Sequence, residues 1–375
     1  MCSRPTIRCE LPLAYVAHRV MIAFALYRRA GVSLRVFQFY LVLMACTAQM
    51  ASATDSSVQY TGVNIPEAAF GSQSVPGTYG KDYIYPRPST IDYFAKKGMN
   101  IIRLPVLWER LQHRLNGDID NDEMKRIDAV ISYAGSEGMR VILDVHNYAT
   151  YYGSVIGAKT LPTSALGDLW GKLGERYKDN ETVIFGLMNE PHGLTTETWL
   201  EAANIAIAEI RRAGAKNLIL VPGNGWSSAR DWVGDSYGTP NSEVMLKVDD
   251  PARNFAYDVH QYFDADFTGT AADCQNVDIG IATLTPVTEW ARQHGRHAFL
   301  GEFGMGPSET CLAALDRIMR FLNDNKDVWL GWTYWAGGEW WPADYFTNIQ
   351  PIDGQERPQL SVLQKYLRNE SSSQE

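Results

Sequence analysis

Cysteine is scarce in this chain of 375 residues: there are five, and three of them (Cys2, Cys9 and Cys46) fall in the first fifty positions. No Cys-x-x-Cys or His-x-His pair occurs, so the usual close spacings of zinc ligands are missing. No glycine-rich G-x-G-x-x-G turn follows the first strand-like segment, which argues against a dinucleotide-binding sheet. Positive charge is in deficit, with 34 Lys and Arg against 43 Asp and Glu, a net of −9 that suits no nucleic-acid partner. There is no Pro/Ser/Thr-rich linker, no low-complexity tract and no apolar run long enough to span a bilayer comfortably. What is present is 45% hydrophobic and 21% charged, an ordinary globular composition at a length that allows a sizeable core.

The first fifty-odd residues do not read as part of that core. Arg28, Arg29 and Arg35 precede the apolar run VFQFYLVLMACTA, and the small residues Ala51 to Ala53 follow it. A basic head, an apolar middle and a small-residue cleavage site make residues 1–53 a secretory signal peptide, cut near Thr54. Its head is long, so Met21 is a candidate for the true start, and the stretch ending at Cys46 weakly resembles a lipoprotein box, a lesser alternative. Residues 54–368 are then one catalytic domain and 369–375 a polar tail. Residues 1–53 hold six arginines and Glu10, so the remainder keeps 28 basic and 42 acidic residues, a net of −14. It keeps two cysteines, Cys274 and Cys311. In an exported protein, extracellular or periplasmic, they suggest one disulfide, with a pair of buried free thiols as the alternative.

Beyond the leader the chain alternates. Apolar, strand-like segments occur at QYTGVNI, NIIRLPV, RVILDVHN, VIFGLMNE, LILVPGNG, NFAYDVHQY, HAFLGEFG and VWLGWTYWAG. Helix-like stretches with a 3.6-residue period lie between them. DEMKRIDAVISYAGSEG has Gly138 as its C-cap, and TTETWLEAANIAIAEIRRAG opens with Thr-x-x-Glu capping chemistry and closes at Gly214. Eight strand–helix units in about 320 residues predict an α/β fold of the closed (β/α)8 type, a TIM barrel, over an open doubly wound sheet.

In such a barrel the chemistry sits where the strands end, around one mouth. The polar and aromatic residues at those ends are Arg103; Asp144, His146 and Asn147; Asn189 and Glu190; Asn224 and Trp226; His260 and Tyr262; Glu302; and Trp335. Glu190 and Glu302 should face each other across the mouth. Two carboxyl groups flanking a bond suit glycoside hydrolysis, one protonating the leaving oxygen while the other attacks carbon or activates water. Arg103 and Tyr262 are suited to hold one of the pair ionised. Asn189 can donate to a sugar hydroxyl, and Trp335 offers a flat apolar face to a pyranose ring.

The segments RLPV, ILDVHNY, GLMNEPHG, DVHQYFDAD, LGEFG and GWTYWAGG, in this order, resemble glycoside hydrolase family 5, above all its subfamily 5 endoglucanases. The resemblance runs from about Gln59 to Leu367. It implies a (β/α)8 barrel that cuts β-1,4-glucan, cellulose, with retention of configuration and without a cofactor. It also implies that Glu190 is the acid/base, Glu302 the nucleophile and Asn189 the contact to the 2-hydroxyl. Arg103, His146, His260 and Tyr262 match the polar shell, and Trp335 matches the platform beneath the reacting sugar. Cys274 and Cys311 fall where related endoglucanases carry a disulfide. Many relatives append a cellulose-binding module, and none is visible here, so soluble or amorphous cellulose is the expected substrate. Separately, a monomer is the expected form.

Other uses of the same residues stay open at this point. Mannan, xyloglucan or mixed-linkage glucan are alternative substrates, transglycosylation is open to any covalent glycosyl-enzyme, and a non-catalytic polysaccharide-binding protein is the alternative of a different class. A metal-dependent hydrolase is disfavoured because His146 and His260 are far apart in sequence, so no metal is expected. Asp144 reads as orienting the strand-end network. Trp226 and, with less support, Trp232 are candidates for outer sugar subsites, while His113, His294 and His297 read as surface or packing residues.

Overall fold

Each of the eight apolar segments forms a strand. The computed structural model describes residues 57–367, so the leader, Met21, Cys46 and the tail 369–375 lie outside the described residues. The strands are β1 (Tyr60–Asn64), β2 (Ile101–Val106), β3 (Arg140–Val145), β6 (Val183–Gly186), β7 (Ile219–Pro222), β8 (Phe255–His260), β9 (Ala298–Phe303) and β10 (Trp329–Tyr334). All pair in parallel and close in the order β1-β10-β9-β8-β7-β6-β3-β2. The two short strands β4 (Thr150–Tyr151) and β5 (Ser154–Val155) make a separate hairpin after β3.

A strand alternates its side chains with period two, and that alternation separates the plug of this barrel from its chemistry. Ile101, Ile142, Ile184, Leu220, Ala256 and Phe299 form one buried apolar cluster. Two residues further along, the same inward positions carry Arg103 on β2, Asp144 on β3 and Asp258 on β8, all almost wholly buried. On β9 the equivalent position is Gly301. A Cβ there would lie 1.9 Å from Oδ1 of Asp258, so only glycine leaves the aspartate its place.

β9 also slips against both neighbours. Val259 pairs with Leu300 but His260 with Glu302, and Trp332 pairs with Leu300 but Tyr334 with Phe303. One extra residue therefore enters β9 beyond Leu300, the count of a β-bulge, which re-aims the next side chain. The chain gains a buried glutamate at the mouth, Glu302, directly after Gly301.

The helices follow the expected chemistry with one exception. Asn121–Ser136 is capped by Asp120, whose side chain accepts from the backbone N–H of Asp122 and Glu123, and Gly138 follows with φ of 75°. Thr196–Arg212 is capped by Thr195, which accepts from the Thr198 N–H at 3.2 Å. Residue three after that cap is Thr198, not glutamate; the Thr-x-x-Glu spacing in this stretch is Thr198–Glu201, inside the helix, so no capping box forms. Among the described residues no helix is long and apolar enough to cross a membrane.

Candidate active site

Arg103 is the hub of the mouth. It is fully buried, and one guanidinium nitrogen donates to Asn64 Oδ1 at 2.9 Å and to Glu302 Oε2 at 3.2 Å. The other donates to Asn189 Oδ1 at 2.7 Å and lies 3.1 Å from Asp144 Oδ2. Burial alone would lower its pKa, but Asp144, Asp258 and Glu302 outweigh that and raise it, so the cation is permanent. Asn64 is fixed in turn by donating to the carbonyls of Gly301 and Thr333 at 2.9 and 3.0 Å.

Glu302 receives a second donor, the Tyr262 hydroxyl, at 2.7 Å from Oε1. Burial, then the charge of Glu302, holds the tyrosine well above its usual pKa, so it stays a donor. Glu190 stands on a left-handed backbone, φ 44°, and its Oε1 is 2.8 Å from Nδ1 of His260. Burial would make His260 less basic, but Asp258 (3.6 Å from Nε2) and Glu302 (3.8 Å from Nδ1) reverse the sign and carry its pKa up to about 10. The imidazole is therefore cationic at neutral pH and donates to Glu190. Asn189 Oδ1 accepts from Arg103, and its Nδ2 is buried with no hydrogen-bond partner among the described residues.

Glu190, His260 and Glu302 bring one ligand-type atom each within 4.8 Å of one another. That closeness would allow a shared cation, but the donor set fits one poorly. His260 is protonated and committed to Glu190, and the Arg103 guanidinium already occupies Glu302. One oxygen of each carboxylate thus lies within 4.8 Å of the other.

Around them lies a cavity of about 860 Å³ whose walls include Tyr148, Trp226, Tyr237, Tyr262, Phe267 and Trp335. Trp335 stacks on His146, with centroids 5.8 Å apart at 11°, and donates to the Tyr345 hydroxyl at 2.9 Å. His146 is positioned by Asp144, 2.8 Å from its Nδ1. Trp226, 52% exposed, stacks on His192 at 4.7 Å. A second basin, about 730 Å³ and lined by Tyr60, Arg140, Lys216 and Phe255, lies where the strands begin and contains none of these groups.

Of the residues expected at the site, Arg103, Asp144, His146, Asn189, Glu190, His260, Tyr262, Glu302 and Trp335 are brought together, and Trp226 lines the cavity. Trp232 is not: it is fully buried against Tyr257 and Trp290 and belongs to the core. Asn147 and Asn224 are structural. The first accepts from the Trp108 N–H and donates to Glu109, and the second is tied to Asn241, Leu194 and Thr196. His113, His294 and His297 are exposed. Sequence reasoning passed over Asn64 and Asp258; the period of two before His260 was the signal that Asp258 shares its face. Cys274 and Cys311 form a disulfide with Cα atoms 5.3 Å apart.

Residues 53–338 match the model of a known family, described as "Cellulase (glycosyl hydrolase family 5)". Endo-beta-1,4-glucanase B of Aspergillus niger is 34% identical over 314 residues, 83% of this chain and 91% of the relative. Among solved structures, an endo-beta-1,4-glucanase of Xanthomonas axonopodis pv. citri is 42% identical with a TM-score of 0.82, covering 83% of this chain and 99% of that one. The endoglucanase Cel5A of Pseudomonas stutzeri, solved with cellobiose, is 35% identical with a TM-score of 0.77, over 84% of this chain and 94% of that one.

Proposed function

From the premise that this chain belongs to glycosyl hydrolase family 5 and is a glycoside hydrolase, we propose that it is an exported endo-β-1,4-glucanase that cleaves by double displacement. The observation that supports the mechanism is the closeness of Glu190 and Glu302, with a carboxylate oxygen of each within 4.8 Å of the other. Retaining glycosidases keep their carboxyl groups about 5–5.5 Å apart, too close for a water to stand between one of them and the sugar.

In the first step Glu302 attacks the anomeric carbon, a glycosyl–Glu302 ester forms, and the bond to the glycosidic oxygen breaks. Glu190 delivers a proton to that oxygen, drawing on the hydrogen bond from cationic His260. In the second step water attacks the same carbon, Glu190 takes its proton, and Glu302 leaves as the carboxylate. Arg103 and Tyr262 support the negative charge that Glu302 carries before and after. Asn189 Nδ2, buried and without a partner among the described residues, is the donor for a hydroxyl of the reacting sugar, and Trp335 lies beneath its ring. The names and bound cellobiose of the relatives support glucan as the substrate. The basic–apolar–small leader and the Cys274–Cys311 disulfide, a link that persists in oxidising compartments, support export.

Hydrolysis of cellulose, mannan, xylan and mixed-linkage glucan, followed by anomer-resolved proton NMR, tests the reading. We expect the highest rate on β-1,4-glucan and an initial product in the β configuration. An initial α product would overturn the double displacement, and a higher rate on mannan would overturn the substrate.

A further inference from the structure

Among the described residues, five large apolar side chains are more than a third exposed: Tyr79, Tyr148, Tyr152, Trp226 and Val233. Three of them also take positive φ, Tyr148 at 54°, Tyr152 at 43° and Trp226 at 57°. A left-handed backbone under a bulky ring costs stability, and a half-exposed ring recovers less of it through burial than a buried one, so such residues concentrate where a ligand makes use of them. Tyr148 and Trp226 obey that rule by lining the cavity of Glu190 and Glu302. Tyr152 carries the same pair of features in the same loop as Tyr148, four residues on, but does not line the cavity.

The local build is specific. Tyr151 pairs with Ser154, so Tyr152 and Gly153 form a two-residue hairpin turn, with φ of 43° and 76°. Turns with two positive values favour Asn-Gly or Asp-Gly, and tyrosine at the first position goes against that chemistry. The turn is nonetheless held firmly. Buried Glu109 accepts from the Tyr152 N–H at 2.8 Å and from Asn147 Nδ2 at 2.7 Å, which ties the turn to the end of β3 beside His146. Tyr151 anchors the other side, packed on Trp108 and donating its hydroxyl to the Gln112 carbonyl at 2.7 Å. Against this fixed base the Tyr152 ring stands nearly perpendicular to Tyr151, at 84°, and is 46% exposed.

We propose that Tyr152 is a sugar platform outside the catalytic cavity, stacking a glucosyl unit of a chain that extends past Tyr148. The inference rests on the glucanase reading for the identity of the sugar. It assigns to Tyr152 a preference for long chains: the ring is of no use to a substrate short enough to fit the cavity alone and adds affinity to one that reaches the β4–β5 hairpin.

Tyr152→Asn is the informative variant, because asparagine suits the turn and removes the ring. We expect it to melt no lower than wild type and to cleave an aryl cellobioside at the wild-type rate. Its kcat/KM on cellohexaose and carboxymethylcellulose should fall about tenfold, with the loss in KM, and Tyr152→Trp should keep most of the wild-type value. Equal losses on short and long substrates, or no loss on the polymer, would overturn the platform while leaving the glucanase reading intact. If wild type cleaves no β-1,4-glucan, that reading fails by itself. The platform is then judged by affinity electrophoresis in gels containing hydroxyethylcellulose, mannan or xyloglucan: reduced retardation of Tyr152→Asn in any of them supports it, and retardation no different from wild type throughout overturns it.

Discussion

His260 and Glu190 share one hydrogen bond, Nδ1 to Oε1 at 2.8 Å, and Asp258 Oδ2 lies 3.6 Å from the other ring nitrogen, Nε2. Four carboxylates from three strands and a loop act on that imidazole, Glu190, Glu302, Asp258 and Asp144, and the Arg103 guanidinium is set among the same four. The four carboxylates outnumber the guanidinium, which is why a buried histidine is cationic here. Neither Asp258 Oδ1 nor His260 Nε2 has a closer partner among the described residues.

The first expected outcome concerns pH and activity. On the proposed mechanism the proton for the leaving oxygen is drawn through the His260–Glu190 hydrogen bond, so loss of the His260 charge should end turnover on the alkaline side. His260→Gln keeps a donor but cannot hold the charge, and should move the alkaline limb of kcat/KM to lower pH. Asp258→Asn, which leaves His260 in place, should move it in the same direction by less. A pair of variants that lose activity equally at every pH would assign both residues a purely structural role.

Stability should show the same charge with its own sign. The His260 pKa rises on folding from 6.5 to about 10, so folding takes up a proton. The stabilisation is complete below about pH 6.5 and disappears as pH rises through about 10. The melting-temperature gap between wild type and His260→Gln should therefore narrow steadily from pH 6 to pH 10. A gap independent of pH would contradict it.

How much of this was legible in the sequence follows from physical range. The eight strands announce themselves because apolar runs bounded by turn residues are local signals, and Glu190 and Glu302 are legible because each follows such a run. The bulge that aims Glu302 is not: it exists in the pairing of β9 with β8 and β10, a property of three segments at once. Trp232 looked like a subsite because an aromatic near a strand end is ambiguous until packing decides it. Asn189 was legible as a donor to a sugar, but the bonds of its oxygen to Arg103 and of Glu190 to His260 were not, because each joins segments far apart in the chain.

Gly269 provides a test of how firmly Glu302, the proposed nucleophile, is held. Its φ is +73°, and a Cβ there would lie 2.4 Å from Cδ1 of Tyr262, whose hydroxyl donates to Glu302. Gly269→Ala adds left-handed strain of about 1–2 kcal/mol and pushes the tyrosine off its partner. We expect kcat to fall about tenfold or more, one hydrogen bond to a charged group being worth about 1.5–3 kcal/mol. Steady-state kinetics beside near-ultraviolet circular dichroism reads it, and an unchanged kcat with intact packing would show that Tyr262 is dispensable.

The disulfide is expected to matter more to stability than to turnover. It links residues 37 apart, and removing such links commonly costs about 2–5 kcal/mol in small secreted domains. With a large core of its own, this barrel should lose about 2 kcal/mol, a melting shift of a few degrees for a domain of this size. Cys274→Ser with Cys311→Ser tests it. Mass spectrometry after alkylation without reductant gives the complementary check, since two labelled thiols in the native protein would mean no bond.

The last expectation separates the two glutamates by what each does to a substituted enzyme. Glu190→Ala removes the proton donor but leaves Glu302 to attack, so aryl glycosides with good leaving groups should still form the glycosyl-enzyme. Azide then enters from the face that water uses, and the product should be the β-azide. Glu302→Ala removes the attacking oxygen. Azide placed in the vacated space attacks the β-glycoside directly and inverts it, so the product should be the α-azide. Without azide, both variants should hydrolyse carboxymethylcellulose at least about a hundredfold more slowly than wild type, the low end of general acid–base contributions. Reversed anomers would exchange the two roles. A loss smaller than a hundredfold in both would mean that the hydrogen bonds from Arg103, Tyr262 and His260 converge on carboxylates that do not carry out the reaction.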